Sequence, residues 1–293
     1  MIAILGGGFV GTHLYNLLRS KYFNVFFLKR FQRDYTDYTT YSNFLKESGV
    51  KFVINCSGYT GHPNVDACEF NKEKCLFYNV QGPINVCKAS AEQNVKVIHV
   101  SSGCIYTGYD KDYTETDTPN FGIFNNQSSF YSKTKHIFEL AAAPYIENTA
   151  ILRVRMPYTE TDEYKNYLYK LYNYDNLIDY KNSVTYLADL NNFIFQLLQA
   201  GNFTGGLYNV VNTEPIQASD VVDIYRKHNF INPNWKFVCI DDLKMAAGRS
   251  NCVLSNAKVL STGFKFTNAL ESIDRCIYNI KTIHDKRTQK SNF

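Results

Sequence analysis

The sequence predicts an α/β protein, a Rossmann-type doubly wound parallel sheet with a smaller C-terminal substrate-binding domain. Three observations support this fold class. Short buried apolar runs alternate with stretches of helical spacing through the first half of the chain. A glycine-rich turn, Gly6-Gly7-Gly8-Phe9-Val10-Gly11, follows the first of those runs. Farther along, Tyr131-Ser132-Lys133-Thr134-Lys135 opens a helix with a tyrosine and a lysine one turn apart.

The elements read in order. Ile2 to Leu5 is a buried strand, Phe9 to Leu18 has helical spacing, and Asn24 to Leu28 is a second strand. Tyr41 to Glu47 is helical and Phe52 to Cys56 is a third buried run, which gives the βαβ rhythm of a parallel sheet. A helix is expected around Glu73 to Asn94, a strand at Val97 to Val100, a helix from about Tyr131 and a strand at Ile151 to Val154. From Arg155 to about Tyr180 the text is rich in Tyr, Asn and Lys without a clean period, while Leu207 to Val211 looks like one more sheet strand. The domain expectation is therefore a dinucleotide-binding unit over 1–155, completed by about 181–212, and a substrate-binding unit within 156–293. The last ten or so residues read as a loose tail.

Composition sets the limits. The 293 residues, 45% hydrophobic, can bury a substantial core. The net charge of +4 is spread over 31 basic and 27 acidic residues without long single-sign runs, which argues against nucleic-acid and membrane partners. Eight cysteines show neither CxxC pairing nor metal-ligand spacing, so reduced thiols in the cytoplasm are expected and no metal site is. No apolar stretch reaches signal or transmembrane length. The histidines other than His62 show no ligation pattern and read as satisfied structural residues. A homodimer is compatible with all of this.

The glycine loop suits a dinucleotide. Gly6 would make the turn, Gly8 would let backbone approach a pyrophosphate and Gly11 would let the helix pack on the sheet, with the helix N-terminus at Phe9 and Val10 facing the phosphate charge. After the second strand, where an acidic residue would hold an unphosphorylated ribose, stand Lys29, Arg30 and Arg33. These cations suit a ribose 2′-phosphate and favour NADPH over NADH, the alternative being a solvated basic edge. Asp34 and Tyr35 would flank the adenine, and Ser57 and Gly58 would pass the cofactor at the end of the third strand.

Tyr131 and Lys135 project from one helix face. The lysine would lower the phenol from its usual pKa of about 10 and reach the nicotinamide ribose, leaving Tyr131 as a general acid. Ser102 would be the third partner on a substrate carbonyl. An accidental YxxxK match in a chain with 23 tyrosines is the competing reading.

These residues resemble the extended short-chain dehydrogenase/reductases that act on nucleotide sugars, although Leu5 stands where that group usually has the first glycine of GxxGxxG. The segments Asn55 to Glu69, Ser102-Gly103-Cys104-Ile105-Tyr106, Asp117-Thr118-Pro119-Asn120, Ser129 to Lys135, Leu152 to Pro157 and Gly248-Arg249-Ser250-Asn251 sharpen the resemblance. Together they look like the bifunctional UDP-4-keto-6-deoxyglucose 3,5-epimerase/4-reductases of UDP-rhamnose synthesis. The resemblance implies that Cys104 removes protons beside the keto group and that Lys170 returns one from the opposite face. A buried small hydrophobe and a solvated lysine are the plainer alternatives. Thr60, His62 and Asn64 fall in the implied substrate segment, His62 standing where those modules usually carry arginine. Arg249 and Asn251 are candidates for the diphosphate or uracil end and Asn182 and Thr185 for the sugar wall, each with a loop-capping alternative. The implied activity converts UDP-4-keto-6-deoxyglucose to UDP-β-L-rhamnose with NADPH, supplied by a separate upstream 4,6-dehydratase. A plain dTDP- or UDP-4-dehydrorhamnose 4-reductase and a non-catalytic nucleotide-binding regulatory subunit are the competing readings.

Overall fold

In the computed structural model, which describes residues 1–21, 24–62, 64–199 and 201–291, the first four apolar residues form β1 (Ile2–Leu5), buried along its whole length. Such a run needs a sheet covered on both faces. It pairs in parallel with β2 (Val25–Leu28) on one side and β3 (Phe52–Asn55) on the other. Between them run α1 (Phe9–Lys21) and α2 (Tyr38–Ser48). Asp37 caps α2 by accepting from the Thr40 amide, and Gly49 ends it in the left-handed conformation.

After β3 the chain forms two short helices, α3 (Ala67–Phe70) and α4 (Lys72–Leu76), a π-helical turn at Phe77–Gln81 and α5 (Gly82–Glu92). The single helix expected over Glu73 to Asn94 is thus interrupted. Pro83 lacks the N–H that an uninterrupted α-ladder needs, and the widened turn accommodates it. The sheet continues with β4 (Lys96–Ser102), while β5 (Gly108–Tyr113) lies outside it. Then come α6 (Phe130–Ala142) and β6 (Thr149–Val154).

The segment that lacked a period contains β7 (Pro157–Tyr158), α7 (Tyr167–Asn173), β8 (Asn176–Leu177) and β9 (Thr185–Tyr186). Next, α8 (Leu187–Leu198) and β10 (Gly206–Asn209) return to the main sheet, whose order is β10-β6-β4-β3-β1-β2. The direction of winding changes between β1 and β3, so their C-terminal ends open a crevice, the usual ligand position in such sheets. The chain finishes with α9 (Ala218–Lys227), β11 (Lys236–Phe237), β12 (Cys252–Leu254), α10 (Ala257–Ser261) and α11 (Ala269–Ser291).

The core is divided accordingly. One cluster packs β1, β4 and β6 against α1 and α8 through Ile4, Leu14, Ile98, Leu152 and Phe193. Its counterpart on the other sheet face holds Leu5, Tyr41, Val53, Val86 and Phe138. A third, separate cluster joins α7, α9 and α11 through Leu168, Leu171, Val221, Tyr225, Ile273 and Ile277. The expected loose tail is instead helical, because α11 extends to Ser291. Tyr35 is a core side chain at 3% exposure, not a flank for an adenine. His99 also departs from expectation: it is fully buried with neither ring nitrogen partnered among the described residues. Burial drives its pKa well down, so the ring is neutral. No described helix is long and apolar enough to cross a membrane.

Candidate active site

At the switch point, Leu5 is the last residue of β1 and Gly6 takes the turn with φ +97°, a conformation that favours glycine. Leucine at the first glycine position of the motif is therefore accommodated in the core. A Cβ on Gly11 would sit 2.0 Å from the Gly6 carbonyl oxygen, so this glycine is required by close packing of helix on turn. Gly8 differs, since a Cβ there would meet nothing within 4 Å. Its backbone faces open space at a helix N-terminus, which fits a pyrophosphate.

Gly8, Phe9 and Val10 line a cavity of about 660 Å³ together with Ser57, Gly58, Ser102, Cys104, Tyr131, Lys135 and Lys170. Lys29 and Arg30 are exposed just past β2, Arg30 with its guanidinium 3.8 Å from the centre of the Tyr78 ring. Arg33 is half-buried over Phe44. None of the three forms an ion pair among the described residues. They remain available to a phosphate. Asp34 is turned to its own loop, accepting from the Thr36 amide at 3.0 Å and from the Thr36 hydroxyl.

Ser129 caps α6 by accepting from the Ser132 amide, which fixes the start of the helix and hence the direction of Tyr131 and Lys135. A turn beyond Lys135, Glu139 receives a bidentate hydrogen bond from Arg153 of β6 at 3.0 and 2.7 Å. This buried pair locks the helix to the sheet. Tyr131 lines the cavity beside Ser102, and its ring centre lies 5.6 Å from the Lys135 ammonium. A Cβ on Gly58 would lie 3.7 Å from that ammonium, so Lys135 reaches the backbone that lines the cofactor crevice.

The expected lowering of the tyrosine is not found. Burial pushes the Tyr131 phenol up, with neighbouring Cys104 adding to the rise and Ser102 opposing it. Burial also lowers Lys135 to about 8, with Cys75 the largest opposing influence. Both shifts arise because the cavity wall excludes water and penalises the charged form of each group.

Asn79, in the π-helical turn, is fully buried and clamps the neighbouring backbone by accepting from the Tyr59 amide and donating to the Tyr59 carbonyl. The sequence reading missed it. The signal was Gly82-Pro83 inside a helical run, which marks an irregular turn. Lys165 was missed as well. Its ammonium donates to Thr60 Oγ1 at 2.9 Å and to the Gly61 carbonyl, tying the 156–180 segment to the loop after β3. Lys170 sits on α7, capped by Asn166, and is lowered to about 8 by burial and then by the charge of Lys165.

Thr60, Asn64 and Arg249 also line the cavity. Arg249 makes a bidentate pair with Asp66 at 2.6 and 2.8 Å. His62 is exposed outside the lining, with its ring 5.3 Å from that of Tyr164. The proposed sugar wall is placed differently from expectation. Thr185 is buried behind it, accepting from the Arg155 amide and donating to the Val210 carbonyl. Asn182 accepts from the Arg155 guanidinium and donates to Asn251 Oδ1 at 3.0 Å. These side chains support the wall and do not line it.

The sheet order, the open glycine at its switch point and the buried serine, tyrosine and lysine on one cavity define the class: a Rossmann-type α/β protein with a ligand cavity at the switch point of its sheet. Within that class the chain belongs to the RmlD substrate binding domain family, whose model matches residues 1–281. It is 31% identical over 239 residues to a bifunctional dTDP-4-dehydrorhamnose 3,5-epimerase/dTDP-4-dehydrorhamnose reductase of Arabidopsis thaliana, covering 77% of this chain and 76% of the relative. A trifunctional UDP-glucose 4,6-dehydratase/UDP-4-keto-6-deoxy-D-glucose 3,5-epimerase/UDP-4-keto-L-rhamnose-reductase of the same plant is 29% identical over 238 residues, 77% of this chain but 34% of the relative. The chain spans about a third of that protein's length.

Among solved structures, the UDP-rhamnose synthase of Acanthamoeba polyphaga mimivirus superposes with a TM-score of 0.85 at 21% identity, covering 96% of this chain and 99% of the other. A dTDP-4-dehydrorhamnose reductase of Bacillus anthracis in complex with NADP gives 0.79 at 21% identity, covering 96% and 98%. Both show the Rossmann-type fold.

Proposed function

We propose that the protein is an NADPH-dependent 3,5-epimerase/4-reductase that converts UDP-4-keto-6-deoxyglucose to UDP-β-L-rhamnose. The observation that carries this reading is one cavity wall holding both Cys104 and the Ser102, Tyr131 and Lys135 group, with Lys170 also lining the cavity. A plain reductase has no use for a thiol at that position. Relatives named for both epimerase and reductase activities support the reading.

The cofactor would lie along Gly6, Gly8 and Gly11, with Lys29, Arg30 and Arg33 toward its 2′-phosphate and Lys135 toward its nicotinamide ribose. When bound there, NADPH would supply the hydride for C4. Tyr131 protonates O4, and its raised phenol is fully protonated at neutral pH, while Ser102 holds the same oxygen. Before reduction, the 4-keto group acidifies the C–H bonds at C3 and C5. Cys104 sulfur takes the proton, the bonding pair passes into an enolate with its charge on O4, and the Lys170 ammonium returns a proton to the opposite face. Sulfur and amine then exchange protons with solvent before the second position reacts. The third core cluster, from α7, α9 and α11, contributes Leu171, Leu177 and Ala218 to the same cavity. The substrate would come from a nucleotide-sugar 4,6-dehydratase.

The test is exchange in D₂O without NADPH. The unmodified protein is expected to wash deuterium into C3 and C5 of the keto-sugar, and Cys104→Ser to lose most of that exchange. Tyr131→Phe should retain part of the exchange, because Ser102 still holds O4, yet lose roughly a hundred- to ten-thousand-fold in NADPH oxidation. Wild-type exchange in Cys104→Ser would reduce Cys104 to packing and assign the proton abstraction to another base.

A further inference from the structure

Arg155 is among the largest fully buried side chains of the protein, 2% exposed. Its charge has no carboxylate partner among the described residues. A buried guanidinium without a counter-ion is costly, because an arginine cannot shed its proton to escape the low dielectric. Its hydrogen bonds to Ser250 Oγ at 2.8 Å, to the Ser250 carbonyl at 2.9 Å and to Asn182 Oδ1 satisfy donors but bring no negative charge. The remaining contact is Nη1 to Cys104 Sγ at 3.0 Å.

The surrounding chain is shaped for this contact. A Cβ on Gly103 would lie 2.4 Å from Leu254 Cδ1 and 3.2 and 3.3 Å from Arg155 Cδ and Cγ, so the glycine beside Cys104 leaves room for both side chains to pack beneath it. Met156, the next residue, holds φ +37°, a strained value for a non-glycine side chain, and itself lines the cavity. Such strain persists only where the neighbouring structure dictates it. The ionisable groups facing Arg155 are Cys104, Cys252 and Tyr109. Burial holds the Cys252 thiol and the Tyr109 phenol above their ordinary ranges. Of the three, only Cys104 both receives a hydrogen bond from the Arg155 guanidinium and lines the cavity. That sulfur is also near Tyr131 and Lys135, both held by burial in directions that favour their neutral forms.

We infer that Arg155 is the positioning residue of the epimerisation base, the buried cation against which the Cys104 sulfur is held as it takes protons from C3 and C5. The inference rests on the epimerase reading for its purpose, but not for its test. Arg155 donates to sulfur from beneath, on the side away from the cavity, so the open side of Cys104 stays toward the sugar. Since a charge-assisted hydrogen bond is stronger than a neutral one, the contact tightens when the sulfur is ionised.

The test reads Cys104 alone, by peptide mass spectrometry after brief iodoacetamide labelling. The labelling rate near pH 7 is divided by the rate near pH 10, so that steric access cancels. In the native protein this ratio should exceed that of the same cysteine in the urea-unfolded chain, and in Arg155→Met it should fall about tenfold. Arg155→Lys, which keeps the charge, should recover part of the loss. Binding of NADPH verifies that each variant is folded. If Arg155→Met does not fold, the comparison of native with unfolded wild type still decides. A native ratio no higher than the unfolded one, or a folded Arg155→Met with the wild-type ratio, overturns the inference. Absence of deuterium wash-in by the wild type would instead remove the epimerase reading, and the labelling ratio would still report on the pair.

Discussion

Adding one methyl group at either of two glycines separates cofactor binding from folding. At Gly8 the new carbon meets nothing within 4 Å, so Gly8→Ala should change stability by no more than about 0.5 kcal/mol. The same methyl occupies the space into which a pyrophosphate must settle to reach the backbone amides. Losing one such hydrogen bond to a charged group, at about 1.5–3 kcal/mol, predicts NADPH binding weaker by roughly ten- to a hundred-fold. At Gly11 the carbon lands 2.0 Å from the Gly6 carbonyl oxygen and 3.2 Å from its carbon, well inside contact distance. The obstacle is backbone, so the first turn of α1 must retreat from β1, at the typical overpacking cost of about 1–3 kcal/mol. Thermal melts with and without NADPH, combined with fluorescence titration of the cofactor, read both effects. Gly8→Ala should melt like the wild type without ligand and gain little on NADPH addition; Gly11→Ala should melt several degrees lower from the outset. Wild-type NADPH affinity in Gly8→Ala would refute the placement of the pyrophosphate, and a wild-type melt for Gly11→Ala would refute the packing argument.

Three further outcomes are expected. Glu139→Ala leaves the Arg153 guanidinium buried and unpaired, the two side chains being 6% and 2% exposed, and should cost about 3–5 kcal/mol in urea unfolding. If Lys170 delivers the proton proposed for it, it does so as the ammonium, the form present below about pH 8, and formation of inverted product should decline as pH rises through that value. Lys165→Met removes the neighbouring positive charge and should carry this decline to higher pH in a pH-rate profile, whereas an unmoved profile would detach Lys170 from the step. Arg30→Ala should narrow the preference for NADPH over NADH, measured as the ratio of the two dissociation constants, because Arg30 has no carboxylate competing for its charge among the described residues.

The sheet was legible because its strands are continuous apolar runs set off by the glycine turn, a pattern dictated by burial on both faces. The 156–180 segment was not. Its strands are two residues long and α7 is seven, so none is long enough to show a period, and their positions are set by packing against α9 and α11 far along the chain. Tyr131, Lys135 and Ser102 were legible from spacing and order alone. Cys104 and Lys170 entered through resemblance, since a single thiol or lysine has no pattern of its own. Asn182 and Thr185 were placed one layer too far forward: sequence shows that a polar side chain exists near a site but not whether it faces the ligand or a buried arginine. Tyr131 shows the complementary limit. Proximity to a lysine predicts a lowered phenol, and the structure reverses the sign because burial acts on both groups.

That reversal extends to the whole cavity. Lys135, Lys165, Lys170, Arg155 and Arg249 are gathered in or directly behind one wall, and among the described residues only Arg249 is matched by a carboxylate, Asp66. Two of these lysines are held near pKa 8, so the fold keeps cations where it cannot fully solvate them. A chain selected only for stability would dilute such a cluster or pair it with acids. The cost becomes useful if the ligands bring the missing negative charge: a pyrophosphate at Gly8, a nucleotide diphosphate reaching Arg249 in competition with Asp66, and an enolate oxygen between Tyr131 and Ser102. Each ligand then offsets repulsion that the free protein must bear, and the same dry wall that depresses the lysines strengthens their attraction to the charge that arrives. On this argument Arg155 differs from the other cations in that the group it turns toward the cavity wall belongs to the protein itself, the sulfur of Cys104 at 3.0 Å.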